Sequence, residues 1–242
     1  MSVLHTEQKR KADIRQDRGS ELPARTCRWL KVNDVPTQIE DYPATMPFEG
    51  LTTDGFADTQ IAEGKAQAKI DVDSTEDVHA LQGISAEIAT KNAQEANVSY
   101  SWTVEDGAVQ TLHFALSKEN PVLQDRLRLR VPCGHCATVV LDVESDDDVA
   151  AARNGMLDIV VEEDADLQLV LLNRLNAKTV SNQSVTFTVA DGGNLGLAHV
   201  ELGGARTNYH LSGDLMGVEA RMEEYVAYLA QEKEKLDLFY HV

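Results

Sequence analysis

Residues 126–141 read RLRLRVPCGHCATVVL, residues 156–171 read MLDIVVEEDADLQLVL, and residues 184–199 read SVTFTVADGGNLGLAH. The three segments share one pattern. Leu127, Leu129 and Val131 alternate with polar residues, five residues intervene, and Ala137, Val139 and Leu141 resume the alternation. Thirty residues on, Leu157, Ile159 and Val161 lead to Leu167, Leu169 and Leu171. Twenty-eight residues further, Val185, Phe187 and Val189 lead to Leu195, Leu197 and His199. Alternation with period two puts one set of side chains on one face of a sheet. The intervening Pro132–Cys136, Glu162–Asp166 and Ala190–Asn194 carry turn residues, the Gly192-Gly193 pair among them. Two short strands per unit at a near-constant period predict a stacked β architecture. One unit has no core of its own; stacking buries its apolar side.

The pattern extends in both directions. Upstream, Tyr100, Trp102 and Val104 alternate, Glu105-Asp106-Gly107 supplies a turn, and Leu112, Phe114 and Leu116 alternate again. Downstream of Gly203-Gly204, Tyr209 and Leu211 lead to an expected turn around Gly213–Gly217, followed by Val218, Ala220 and Met222. Residues 219–235, EARMEEYVAYLAQEKEK, admit two readings. Their helix propensity is strong, and Met222, Tyr225, Val226 and Leu229 fall at helical spacing, whereas the repeat register asks for a strand. Register is followed here, with a strand to about Leu229. The closing LDLFYHV is apolar and carries no polar cap, so its edge is expected to pair with a partner or a second copy.

Residues 1–20 mix Lys9, Arg10, Lys11, Arg15 and Arg18 with acids, the pattern of a frayed or partner-ordered helix. LPARTCRWLKVND, residues 22–34, joins Leu22, Trp29, Leu30 and Val32 to Arg25, Arg28 and Lys31, and is expected to pin the terminus to the core. Pro36, Pro43 and Pro47 with Gly50 and Gly55 make residues 35–56 an extended linker. From Asp77 to Ala93, Val78, Leu81, Ile84 and Ile88 recur near helical spacing, with acids first and Lys91 near the end. That predicts a short amphipathic helix, slightly weakened by Gly83. The expected organisation is an arm and linker over 1–56, a mixed segment with one helix over 57–97, and a β core over 98–242.

A chain of 242 residues with 43% hydrophobic content can bury a core, and 5% aromatic residues suit thin stacked layers better than one large globule. The formal charge of −18 argues against nucleic acid and anionic membranes, whose phosphates need clustered Lys and Arg. The sequence shows no signal-peptide core and no apolar run of transmembrane length. Three cysteines do not make a disulfide framework. A cytoplasmic, reduced protein without membrane insertion is expected.

Cys133-Gly134-His135-Cys136 is the loudest local signal. In redox folds such a pair sits at a helix N-terminus, but here ATVVLDVES follows, which reads as strand. Two thiols and an imidazole on a turn can hold a soft metal or part of an iron–sulfur cluster. Cys133, Cys136 and His135 are therefore the candidate ligands, against a turn that merely contains cysteines. The acidic runs Glu144–Asp148 and Glu162–Asp166 lack the fixed ligand spacing of a calcium loop and read as solvated turns. His199 takes an apolar slot beside Glu201 on one strand face and is expected as a hydrogen-bonded core histidine. No phosphate-binding glycine loop, nucleophile elbow or HExxH motif occurs, so no catalytic residue is assigned.

RLRLRV…ATVVLDVES, GMLDIVVEEDADLQLVLLNRLN and VADGGNLGLAHVELGG, with Asn208 shortly after, together resemble the SufB/SufD family of iron–sulfur cluster assembly proteins. LPARTCRWLKVND resembles the opening segment of many members, and GVEARMEEYVAYLAQEKEKLDLFYHV resembles their following repeat, so the match spans residues 22–34 and 98–242. The resemblance implies a mainly β fold: a right-handed parallel β-helix of stacked two-strand coils with a partly helical N-terminal extension. It also implies a non-catalytic scaffold on which a transient iron–sulfur cluster is assembled. Its partners would be a SufC-like ABC-type ATPase and a SufB/SufD-like sister subunit, or a second copy. Family members continue beyond the counterpart of LDLFYHV into coils and helices carrying the residues credited with cluster assembly. No cluster ligand is carried over to this sequence, and the resemblance is to a short or truncated member. Two other classes stay open on the residues. One is a β-helix enzyme acting on polysaccharide, which needs paired carboxylates on neighbouring coils; the other is a thiol redox protein using Cys133 and Cys136.

Overall fold

In the computed structural model, residues 15–19, 35–39, 47–56 and 86–242 are described. The expectations for residues 22–34, and for the helix over 77–85, lie outside them. Strands β1 (Arg15–Gly19) and β2 (Val35–Ile39) pair antiparallel. The helix expected over residues 1–20 is thereby corrected for Arg15–Gly19, whose backbone is satisfied across to β2 rather than along its own axis. Strand β3 (Leu51–Asp54) and helix α1 (Ala86–Glu95) come next. Twelve core strands follow: β4 (Val98–Thr103), β5 (Ala108–Leu116), β6 (Val122–Leu123), β7 (Asp125–Val131), β8 (Cys136–Ser145), β9 (Ala152–Val161), β10 (Asp166–Leu175), β11 (Val180–Val189), β12 (Asn194–Gly203), β13 (Arg206–Leu215), β14 (Arg221–Leu229) and β15 (Lys235–His241).

Consecutive long strands alternate between two sheets. One has the order β15-β13-β11-β9-β7-β4, the other β14-β12-β10-β8-β5-β3. Every neighbouring pair in the stack from β4 and β5 onward is parallel, so the chain forms a parallel β-solenoid of stacked coils. The register keeps like with like: Leu127 lies opposite Leu157, Leu157 opposite Val185, and Val185 opposite Leu211. In the other sheet Val139, Leu169 and Leu197 form the matching column. Their inward faces meet in one continuous apolar cluster. Each fully buried Leu, Val or Ile side chain contributes about 1.5–3 kcal/mol relative to exposure, which is why a one-residue slip of any rung is excluded.

The turns stack as regularly as the strands. Gly134 N–H donates to the Glu163 carbonyl (2.9 Å), Asp164 N–H to that of Asp191 (2.9 Å), and Gly192 N–H to that of Val218 (2.9 Å). Gly134, Asp164 and Gly192 occupy the third place of successive four-residue turns, all left-handed with φ of 69°, 53° and 65°. Glycine, and less readily Asp or Asn, takes that conformation.

Residues 219–235 resolve in favour of register. β14 pairs in phase with β12, Asn194 opposite Arg221 through Leu202 opposite Leu229. A preformed neighbour supplies hydrogen bonds to the whole strand, and that outweighs local helix propensity. The turn expected around Gly213–Gly217 starts later, because β13 runs on to Leu215. Gly213 faces inward beside Phe187, and a Cβ there would come within 2.5 Å of the Phe187 ring. It is a packing glycine in a strand rather than a turn residue.

At the opposite end of the stack β3, within the span read as linker, pairs antiparallel with β5, Leu51 opposite Phe114. It covers an edge that would otherwise offer unpaired backbone groups. Helix α1 lays Ile88, Ala89 and Asn92 against the outside of β7 and β9, with Asn92 Nδ2 donating to the carbonyls of Asp125 (3.0 Å) and Asn154 (2.7 Å). Among the described residues no helix is long and apolar enough to cross a membrane.

Ile159 is fully buried, whereas its neighbour Val160 faces outward. Ile159→Ala is expected to lower unfolding stability by about 2–5 kcal/mol, and Val160→Ala by less than about 1 kcal/mol. Urea midpoints measure both, and equal effects would contradict the inward–outward assignment.

Candidate functional site

The Cys133–Cys136 segment is the turn between β7 and β8, and both thiols are exposed. Strand β8 begins at Cys136 itself, so no helix follows the pair. Two carboxylates from adjacent coils clamp the segment. Cys133 N–H donates to Glu162 Oε2 (3.0 Å), from the turn above, and Cys136 N–H to Asp106 Oδ1 (2.9 Å), from the turn below. Glu162 also pairs with Arg130. The Arg130 guanidinium, with the Cys133 N–H, holds the Glu162 carboxyl below its ordinary value of 4.5. His135 Nδ1 is buried without a hydrogen-bond partner. The turn thus presents two thiols on a rigid backbone. Among the described residues, however, no three His, Cys, Asp or Glu side chains converge as a metal site. Cys133, His135 and Cys136 share a turn without forming a complete ligand set.

The acidic runs lie on turns and the strand ends beside them, Glu144 at the end of β8 and Asp166 at the start of β10. Asp146, Asp147 and Asp148 are exposed, and Asp148 pairs with Lys178 (3.1 Å). Glu144 pairs with Arg174 (2.8 Å) and His113 (3.0 Å) on neighbouring coils. Glu144 and Asp148 thus face basic side chains of this chain across the stack.

His199 is a core histidine, as its slot predicts. It is fully buried, with Nε2 3.3 Å from Glu201 Oε2, Nδ1 3.2 Å from Tyr240 Oη, and its ring stacked on Tyr209 at 3.9 Å. The sequence did not disclose the polar chain to which it belongs. Arg153, 2% exposed, donates from Nε and Nη2 to the two oxygens of Asp125 (2.9 Å each). Its Nη1 donates to Asn173 Oδ1 (3.0 Å) and Gln183 Oε1 (3.1 Å). Asn173 Nδ2 in turn donates to Glu201 Oε2 (2.8 Å). Asp125, Arg153, Asn173 and Glu201 therefore form a continuous chain through the interior that ends on His199, with Gln183 bonded beside it to Arg153 and Asn173. Gly155 makes room for them, since a Cβ there would meet the Asp125 carboxylate at 2.8 Å. A signal was present: Arg153 and Gln183 extend the inward alternation of Leu157 and Val185 toward the N-terminal ends of their strands.

Near this chain, Glu224 faces inward opposite Leu197, and burial pushes its carboxyl up to about 7. Burial first, and then the nearby Glu224, Tyr240 and Glu201, push Tyr209 well above the ordinary tyrosine value. On the outer side of β13, His210 stacks on Phe239 at 4.4 Å, and burial with nearby His241 lowers it to about 4.

Compared with protein-family models, residues 113–242 match the one described as SUF system FeS cluster assembly, SufBD core domain. Neither a curated protein nor a solved structure matches the chain.

Removing Arg153 alone strands the buried Asp125 charge, so Arg153→Leu is expected to cost about 3–5 kcal/mol. Arg153→Leu with Asp125→Leu should recover much of that loss in urea unfolding; a double variant no better than the single would contradict the pairing. The two titrating groups pull stability in opposite directions. Glu224 holds its proton more tightly when folded, so its contribution falls as pH rises from 4.5 to about 7. His210 resists protonation when folded, so its contribution falls as pH drops from 6.5 to about 4. Glu224→Gln should leave a stability profile that rises with pH across this window, and His210→Phe one that falls. Unchanged profiles in both variants would contradict the assignments.

Proposed function

The chain belongs to the SufB/SufD family of iron–sulfur cluster assembly proteins, and from that premise we propose that it is a non-catalytic scaffold subunit of a cytoplasmic SufBCD-type complex. A SufC-like ABC-type ATPase supplies ATP hydrolysis in this reading, and a SufB/SufD-like sister subunit, or a second copy, completes the assembly. The observation that carries it is the coincidence of the matched span with the stack: residues 113–242 are the coils from within β5 to the end of β15. The part of the chain that identifies the family is the part whose columns hold surface groups in fixed register.

The contribution of such a scaffold is geometric. Side chains on successive rungs sit about 4.8 Å apart, and a site supported on strands is held more precisely than one on free loops. A nascent cluster is cargo in this scheme. Cys133 and Cys136 are the candidate thiols to meet it, on a turn whose backbone is fixed by Glu162 and Asp106. Two thiols fall short of the four cysteines usual for a cluster, so the remaining donors come from a partner subunit.

Affinity purification of the tagged chain, co-expressed with the ATPase and the sister subunit and reconstituted anaerobically, tests this. Co-purification of both partners is expected. Cys133→Ser with Cys136→Ser should keep the partners and lower bound iron by roughly half or more. A chain that stays monomeric, binds neither partner and takes up no iron would sink the proposal.

A further inference from the structure

Three of the turns on the Cys133 side of the solenoid, after β7, β9 and β11, hold four residues, but the next, Met216–Ala220 after β13, holds five. Gly217 packs so closely on Asp191 that a Cβ would meet its backbone nitrogen at 2.2 Å. Val218 N–H donates to Asp191 Oδ1 (2.7 Å). With the backbone anchored there, the turn leaves two apolar side chains exposed, Met216 at 73% and Val218 at 79%. Met216 forms one end of a groove of about 520 Å³ whose other end is Cys133. Val160, Thr188 and Ala190 line it between these ends, and Glu162 and Glu163 border it. Single exposed apolar residues are ordinary. Met216 at the end of an aliphatic groove, with Val218 exposed on the same turn, marks a recognition surface.

The charge around the groove says what fits. Arg130 neutralises Glu162. Glu163 and Asp164 are exposed and have no ion pair among the described residues, and exposed Asp191 lies on the next turn. The whole chain carries −18. Such a rim repels acidic partners and speeds the approach of basic ones. We propose that this groove docks an extended, basic segment of a partner protein, with an aliphatic side chain seated against Met216 and Val160 and Lys or Arg residues reaching Glu163, Asp164 and Asp191. From the coil of Cys133 to that of Met216 are three rung steps, about 14 Å at ~4.8 Å each. That length takes about four extended residues. The inference is independent of the role in cluster assembly.

The probe is a fluorescent peptide of about twelve residues alternating Arg with Leu, long enough to overrun a groove of about four extended residues, titrated against the full chain by anisotropy at low salt. A peptide alternating Arg with Ser is the control for charge alone. Each substitution falls on an exposed side chain, and far-UV circular dichroism checks that the fold is kept. Met216→Ser and Glu163→Lys should each weaken binding by roughly tenfold, or about 1.4 kcal/mol. Asp148→Lys, which makes the same change of net charge on the opposite turn column, should leave it within about twofold. Equal binding of the Arg–Ser peptide, equal weakening by Asp148→Lys, or no saturable binding would overturn the proposal. So would self-association of the free chain that Met216→Ser abolishes, since the occupant would then be a second copy.

Discussion

Everything in this molecule follows from the parallel hydrogen-bond ladder between one coil and the next. A parallel pair fixes register along its whole length, so each residue inherits the environment of the residue one coil before it. Leu127, Leu157, Val185 and Leu211 are one position repeated, and so are Arg128, Asp158, Thr186 and Ser212 on the outside. The outer column shows what the constraint permits. Arg128 Nε donates to Asp158 (2.9 Å), and Thr186 donates to the other Asp158 oxygen (3.0 Å), so neighbouring coils can answer each other's charge.

The same ladder explains why the interior can hold charge. A carboxylate and a guanidinium inside a protein are tolerated only when fully paired and hydrogen-bonded. Asp125 and Arg153 meet bidentately because adjacent rungs place them side by side, and Asn173 and Gln183 accept from the guanidinium's Nη1. Such a chain of polar groups disfavours any slip that an aliphatic column alone would accept. The thiol turn is positioned in the same way: Asp106 and Glu162 reach Cys136 and Cys133 from the coils on either side. Scaffold and candidate site are thus products of one periodicity.

The aliphatic halves of the rungs were legible because period-two alternation survives in Leu127–Val131, Leu157–Val161 and Val185–Val189. The polar halves were not. Arg153, Ser181 and Thr207 face inward in one column; they keep the phase of the aliphatic alternation, but their polarity breaks the hydropathy pattern that would have marked them. Residues 219–229 carried a true conflict between propensity and repeat, and the ladder decided it. The family resemblance was readable from the ordered series of repeats, with no single motif needed. At the candidate site the cysteines and their turn were visible, whereas the carboxylate clamp was not, since its members lie about thirty residues away in adjoining turns. The groove beside Met216 was hidden for a related reason, because a five-residue turn stands out only once the four-residue turns of the preceding coils are aligned with it.

The central claim, that these segments form a continuous column of rungs, is open to one direct distance measurement. Arg128, Asp158, Thr186, Ser212 and His241 succeed one another on the outer face, four steps of about 4.8 Å. Spin labels at Arg128→Cys and His241→Cys, with the native cysteines replaced by Ser, should give a narrow distance distribution near ~20 Å. A broad distribution, or one centred beyond about 30 Å, more than six rung spacings, would show that the coils do not stack in this order.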